Sequence, residues 1–564
     1  MKASEWTYQR PDMEDLSNRF HEELTRFESA TSEIEQWNVL QAINDLSDEF
    51  ETMYMVAFIR HTQDTSDEQM LLEKQFFDAS LPTFEGWNSE IKTALLNSKF
   101  RAELEQRMGR QVFSLAEAAV KTYAPEVEED LRKENELSSK HMVWLAQAKI
   151  PFDGEEKTFN EMGPYYQSAD RTVRKRAWDA VYAWMSERAG DFDNLYHDLI
   201  AVRTSIARKL GYENFVGLGY ARMSRVDYTQ ADVAKFRTVV KEHVVPLLAE
   251  MAEQQRQRIG VDTLTYYDKS YRFGTGNPTP KGDMDWIEEK AADMYNALSP
   301  ETGTFFKFMR DNELLDLKRR PNKAMMGYCT YLAGYKSPFI FSLDNGTAFD
   351  VIVVTHEAGH AFQKYMNERF DVPEYLNPTK ETSEIFSKSM KLFTWPWMHQ
   401  FFQEDASKFK YDHLVSSLGE IAYVTMYDEF QEASYTHPEW TMEERRKAFR
   451  EIQVTYEPYL DADGHAYLEE GYGFHSFNHI YRVPFYTIDY ALAQICAFQF
   501  WQEAQVDEAS AWEKYIALAK LSGSLPFQQL IERAGLRSPF EGGCVEDVVG
   551  AVRAYLAGMD DKAL

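Results

Sequence analysis

Two of the thirteen histidines in this 564-residue chain, His356 and His360, stand four apart, and Glu357 directly follows the first. On a helix, residues four apart share one face about a turn from each other, so both imidazoles can reach one tetrahedral cation. Zinc suits such a pair. Glu357 would then stand beside the open position of the metal, where a carboxylate can take a proton from water. The chemistry within reach is metal-assisted hydrolysis.

The surroundings fit a buried helix: Ile352-Val353-Val354 is an apolar lead-in, Gly359 is small enough for close packing, and Ala361-Phe362 continues the apolar face. A hydrolytic zinc site needs a third protein ligand. Glu384, 24 residues after His360, suits a second helix returning past the first after a loop marked by Pro373 and Pro378. Glu381 competes three residues earlier, and spacing alone leaves the two open. Farther on, His475, His479, Tyr481, Tyr486 and Tyr490 crowd a segment that opens with Gly471-Tyr472-Gly473. Donors aimed at a developing oxyanion each lower a hydrolytic barrier by roughly 3 kcal/mol.

A motif this short can arise by chance, so longer stretches carry more weight. The chain resembles the oligoendopeptidase F family, relatives of thimet oligopeptidase and neurolysin. The likeness rests on Tyr328-Cys329-Thr330-Tyr331, Tyr335 to Ser342, Asn345-Gly346-Thr347, the His356 motif, Ser383-Glu384-Ile385-Phe386-Ser387, His479-Ile480-Tyr481 and Pro484 to Tyr490. Upstream, Arg208-Lys209-Leu210-Gly211-Tyr212-Glu213-Asn214-Phe215 belongs to it as well. It runs in one order over roughly residues 150 to 540 and is nearest to bacterial members, including the Pz-peptidases that cut collagen peptides. The resemblance implies a mainly α fold: a large helical body around a deep substrate channel, with a small β element beside the active-site helix. It also implies one zinc per chain held by His356, His360 and Glu384, with Glu357 as general base. His479 would stabilise the oxyanion with Tyr490 or Tyr486, and the substrates would be short oligopeptides cut internally.

The departures from the family pattern are specific. Lys391 stands where relatives carry a glutamate, and Met325 and Met326 stand where they carry glycines. Phe386 and Lys388 replace a histidine and a methionine, and Thr487 a tyrosine. Seven residues past Glu384 is two helical turns, so Lys391 shares the ligand's face. A cation there cannot accept an imidazole proton and repels zinc; lost support of this kind weakens metal affinity or activity about 10- to 100-fold. Alternative readings are thus a peptide-binding pseudoenzyme with a weakened metal site, or a zinc carboxypeptidase on a similar helical fold.

Composition bears on partners. A net charge of -30 and a pI near 4.9 argue against nucleic acid and anionic membranes, which like charge repels. Met1-Lys2-Ala3-Ser4-Glu5-Trp6 has no signal-peptide pattern, and no apolar run is long enough to span a bilayer. Cys329, Cys496 and Cys544 are too few and too scattered for a disulfide framework, and are read as buried thiols. The expected location is the cytoplasm.

Along the chain, residues 1–150 are dense in helix-period patterns, such as Leu16, Phe20 and Leu24 spaced four apart. Pro151 to Glu156 reads as a turn between short strands, helical periodicity resumes from Arg171 to Arg256, and Gly274 to Pro280 is the clearest linker. This gives three regions: an N-terminal helical region at 1–150, a hairpin and helical region forming one channel wall at 151–276, and a zinc-binding catalytic region at 277–564. Within the last, Pro338 to Leu343 reads as a short strand before the zinc helix, placed either at an edge that could pair with a peptide or in the core.

Overall fold

The computed structural model describes residues 1–367, 370–559 and 564. Helices carry most of the chain, and the sheets are small. The first long ones are α1 (Met13–Ser29), α2 (Glu33–Gln63) and α3 (Glu68–Leu96). The Asp12 carboxylate caps α1 by accepting from the backbone N–H groups of Glu14 and Asp15. The four-residue stripe behaves as periodicity demands: Leu16 and Phe20 are buried, and Leu24 packs at the margin of the same cluster. That cluster, with Phe50, Phe77 and Phe84, also takes in Val372 and Tyr375, which join the N-terminal helices to the region of the histidine motif.

The turn at Asp153-Gly154 forms as its residues suggest. Strands β1 (Ile150–Phe152) and β2 (Glu155–Lys157) pair antiparallel across it, and both turn residues have positive φ, 50° and 83°. The second sheet has the order β3-β5-β4, where β3 is Leu315–Asp316, β4 is Tyr328–Leu332 and β5 is Ser337–Phe341. β5, the strand expected before the zinc helix, pairs with β3 on one side and β4 on the other and is buried throughout. It therefore has no free edge. The edges fall to the two-residue β3 and to the longer β4, whose residues are mostly half-buried.

Four helices frame the histidine motif: α4 (Phe349–Met366), α5 (Lys380–Phe393), α6 (Ala406–Thr436) and α7 (Thr487–Ala504). The turn before α4 is closed by Asp350, whose carboxylate accepts from the N–H groups of Asn345 and Gly346 at 2.9 and 2.8 Å, with Gly346 at φ 78°. An acid in the first turn also complements the helix dipole. α5 packs against both α4 and α7. From Glu381 to Phe393 every residue except Ser383 is buried, although four of them are charged. Gly359 makes the crossing possible, because a Cβ there would lie 2.6 Å from Phe386 O and Ser387 Cα. Among the described residues, no helix is long and apolar enough to cross a membrane.

Candidate active site

Because α4 is helical through the motif, His356 and His360 project from one face, their ring centroids 4.9 Å apart. α5 crosses that face and brings Glu384 to both, with Oε2 at 3.6 Å from His356 Nε2 and 3.7 Å from His360 Nε2. Donors bound about 2.0–2.2 Å from a tetrahedral ion lie roughly 3.4 Å from one another, so this trio fits one zinc-sized ion. The three residues form the metal-capable group found among the described residues, all ligand atoms lying within 4.8 Å of one another.

The electrostatics agree with such a role. Burial, then His360, Lys391 and Lys388, hold His356 well below the usual histidine range, and burial lowers His360 as well. Both imidazoles are therefore neutral, the state in which nitrogen can donate to a metal. Burial, followed by the charge of Glu384, pushes Glu357 up to about 8. A carboxylate that titrates near neutrality can exchange protons with a substrate at working pH.

Hydroxyl groups hold Glu384 and approach His360, a feature the sequence did not announce. Tyr486 donates to Glu384 Oε1 at 2.6 Å, Ser387 donates to Glu384 Oε2 at 2.9 Å, and Ser383 Oγ lies 3.3 Å from His360 Nδ1. The serines have a simple placement: they stand at positions 383 and 387, four apart and flanking Glu384 on α5. Tyr490, one turn into α7 from Tyr486, has its hydroxyl 3.4 Å from His479 Nε2. Burial raises both tyrosines far above their ordinary range and keeps their protons available for donation.

The C-terminal cluster thus divides. His479, Tyr486 and Tyr490 come to the metal group, whereas His475 is buried against Asp193, 2.9 Å away, and Tyr481 stacks on His141 in the core. Two buried arginines fix the segment: Arg203 donates to the carbonyls of Ile480 and Tyr481, and Arg225 to Phe485 O and the Asp489 carboxylate. Glu381 is directed elsewhere. Burial and Asp489 push it up to about 8, and its Oε2 has no hydrogen-bond partner.

Two cavities, of about 680 and 550 Å³, meet at His356, Glu357 and Tyr490. The smaller runs along β4 and α2, past Tyr328, Cys329, Thr330, Glu51 and Tyr54, as well as His360 and Glu384. Cys329 is accordingly half-buried beside this cavity, not a core thiol, while Cys496 and Cys544 are buried. The larger is lined by Met325, Met326, Lys388, Lys391, His413, Glu420 and His479. Of the departures, Phe386 points into the core toward Tyr515, and Thr487 is buried near Gln431, so neither reaches the metal group.

The chain matches the peptidase M3 N-terminal domain over residues 3–123 and peptidase family M3 over residues 288–549. The chain belongs to peptidase family M3. It is a metalloendopeptidase with the helical fold of that family. A solved structure described as an oligoendopeptidase F is 50% identical to this M3 peptidase, covers 100% of both chains and superposes with a TM-score of 0.97. PZ peptidase A with an inhibitor is 47% identical over 100% of both chains, also at 0.97. A protein described as an oligoendopeptidase F from Bacillus anthracis is 45% identical over 100% of this chain and 99% of its own, at 0.92. No curated protein matches the chain.

Proposed function

We propose that this M3 peptidase is a zinc enzyme that cuts internal bonds of short oligopeptides in the cytoplasm. The observation that carries the reading is the grouping of His356, His360 and Glu384 beside Glu357, at the meeting point of two cavities. These two imidazoles and one carboxylate would hold zinc. Zinc, when bound, supplies Lewis acidity for the attack of water on an amide carbonyl.

The chain's own residues do the remainder. β4 lies at the sheet edge beside the smaller cavity, where an extended peptide can add to it through backbone hydrogen bonds and so be held without much regard to sequence. Glu357 takes the proton from the attacking water and delivers it to the leaving nitrogen. His479 and the Tyr490 hydroxyl donate to the oxyanion that develops on the carbonyl. Tyr486 holds Glu384. A folded domain of 100 residues, with a radius of gyration of about 13 Å, is too large for these cavities, whereas an extended segment fits. Three unpaired cysteines suit a reducing compartment.

A mixture of end-blocked peptides and one folded protein, incubated with and without chelator and read by mass spectrometry, tests the proposal. Internal cleavage of the peptides, loss of that cleavage with chelator, and survival of the folded protein are expected. Cleavage confined to free C-termini would favour the carboxypeptidase reading, and binding without cleavage the pseudoenzyme.

A further inference from the structure

The larger cavity has a cationic lining that hydrolysis does not use. α5 contributes Lys388 and Lys391, and α6 contributes His413 and Glu420. Lys388 is already matched: its Nζ donates to Glu420 Oε2 at 2.9 Å and sits 5.1 Å from the centre of the Tyr490 ring. Lys391 is not. Its residue is 8% exposed, it lines the cavity, and its ammonium makes no hydrogen bond or ion pair among the described residues. Burial and Lys388 push it down to about 8. An ammonium largely withdrawn from water with no directly bonded counter-charge is unfavourable, and an arriving anion would relieve that.

His413 supplies a second, independent sign. Trp395 Nε1 donates to His413 Nδ1 at 2.8 Å, which places the ring proton on Nε2, and that atom is buried with no partner. Burial keeps this imidazole neutral, so it offers one N–H donor. The negative groups nearest Lys391 are Glu420 and Glu384. Lys388 meets the first, and the second belongs to the proposed metal set. One positive charge is left over in a cavity that opens onto His356 and Glu357, and His413, in the same lining, carries one buried N–H donor without a partner.

Building on the peptidase reading above, we propose that Lys391, assisted by His413, receives a carboxylate of the bound peptide, so that the enzyme favours peptides that present one there. The carboxylate is either a Glu or Asp side chain near the cleaved bond or the free C-terminus of a short substrate. The chain's overall charge of -30 opposes the approach of such peptides, so the selectivity arises locally in the cavity and persists when salt screens the long-range field.

End-blocked, internally quenched peptides that differ only by Glu or Gln at one position, scanned through both sides of the cleaved bond, test this. A second arm compares the free acid with the amide at the C-terminus. One position, or the free terminus, should raise kcat/KM about tenfold or more over its neutral counterpart, as a charge-assisted hydrogen bond in a desolvated site does. Lys391→Met should bring that ratio to about one, and Lys391→Glu should invert it; a ratio is insensitive to general losses of activity. The same peptide pairs titrated onto Glu357→Gln should show the same order of affinity. Equal rates for acid and neutral peptides at every position and terminus, with cleavage intact, would overturn the carboxylate site and leave the peptidase reading standing. An acid preference that survives Lys391→Met would overturn it too. A Lys391-dependent affinity difference without cleavage of any peptide would support the site and overturn the hydrolytic reading.

Discussion

The Tyr486 hydroxyl donates to Glu384 Oε1 at 2.6 Å, while Oε2 of the same carboxylate faces both imidazoles at 3.6 and 3.7 Å. One oxygen is thus turned toward the two imidazoles by a bond to the other. The two tyrosines that sequence reasoning treated as interchangeable are in different situations, since Tyr490 instead neighbours His479. Tyr486→Phe should weaken zinc binding about tenfold, within the range for groups that orient a ligand. Tyr490→Phe should leave zinc affinity unchanged and lower kcat. Competition with a chromophoric chelator, run beside a peptide assay, separates the two; the opposite pattern would exchange their roles.

Glu357 lies at the junction of the two cavities and outside the metal-capable trio of His356, His360 and Glu384. Glu357→Gln should keep zinc content near that of the parent and reduce turnover by about 100-fold or more, the loss expected when a general base is removed. Metal analysis and initial rates on one preparation decide it. Turnover close to that of the parent would transfer the base role to another group.

What the sequence made legible was local. A four-residue spacing becomes geometry as soon as a helix forms, and the Asp153-Gly154 turn, the α1 stripe and the close approach at Gly359 follow from single residues and their neighbours. Pairings between distant segments were not legible. Nothing near Pro338 reveals that β5 will be flanked by β3 and β4, leaving β4 at the edge. Likewise Tyr486 and Glu384, or Lys388 and Glu420, meet only because α5 lies buried among neighbouring helices. Counting charges within α5 was the available hint: Glu381, Glu384, Lys388 and Lys391 on so apolar a helix imply either partners or function.

Spacing left Glu381 and Glu384 open as ligands, and the structure turns them in different directions. Glu384→Ala should release zinc, and Glu381→Ala should retain it. Glu381 should reveal itself through stability instead. Its folded-state pKa of about 8 lies above the ordinary value of about 4.3, so the folded protein holds a proton that the unfolded chain has already given up. Its contribution is therefore fully present below about pH 4.3 and is lost as pH rises toward about 8. Denaturation across that interval should show a shallower decline for Glu381→Gln than for the parent. Parallel curves would mean that Asp489, not Glu381, holds the proton.

Lys391 lines the same cavity as His356, and its charge, after burial and His360, helps to hold that imidazole well below the usual range. That field favours the neutral imidazole a ligand must be, yet it also repels the cation the imidazole would bind. For a divalent ion the second effect is the larger, because the ion carries two charges and neutral imidazole none. Lys391→Glu should therefore tighten zinc about tenfold in chelator competition without peptide present, and Lys391→Met should do so by less. Zinc affinity is the right readout, because turnover would mix this effect with any change in peptide preference. If both variants bind zinc as the parent does, the ammonium is screened from the imidazoles, and its influence is confined to what enters the cavity.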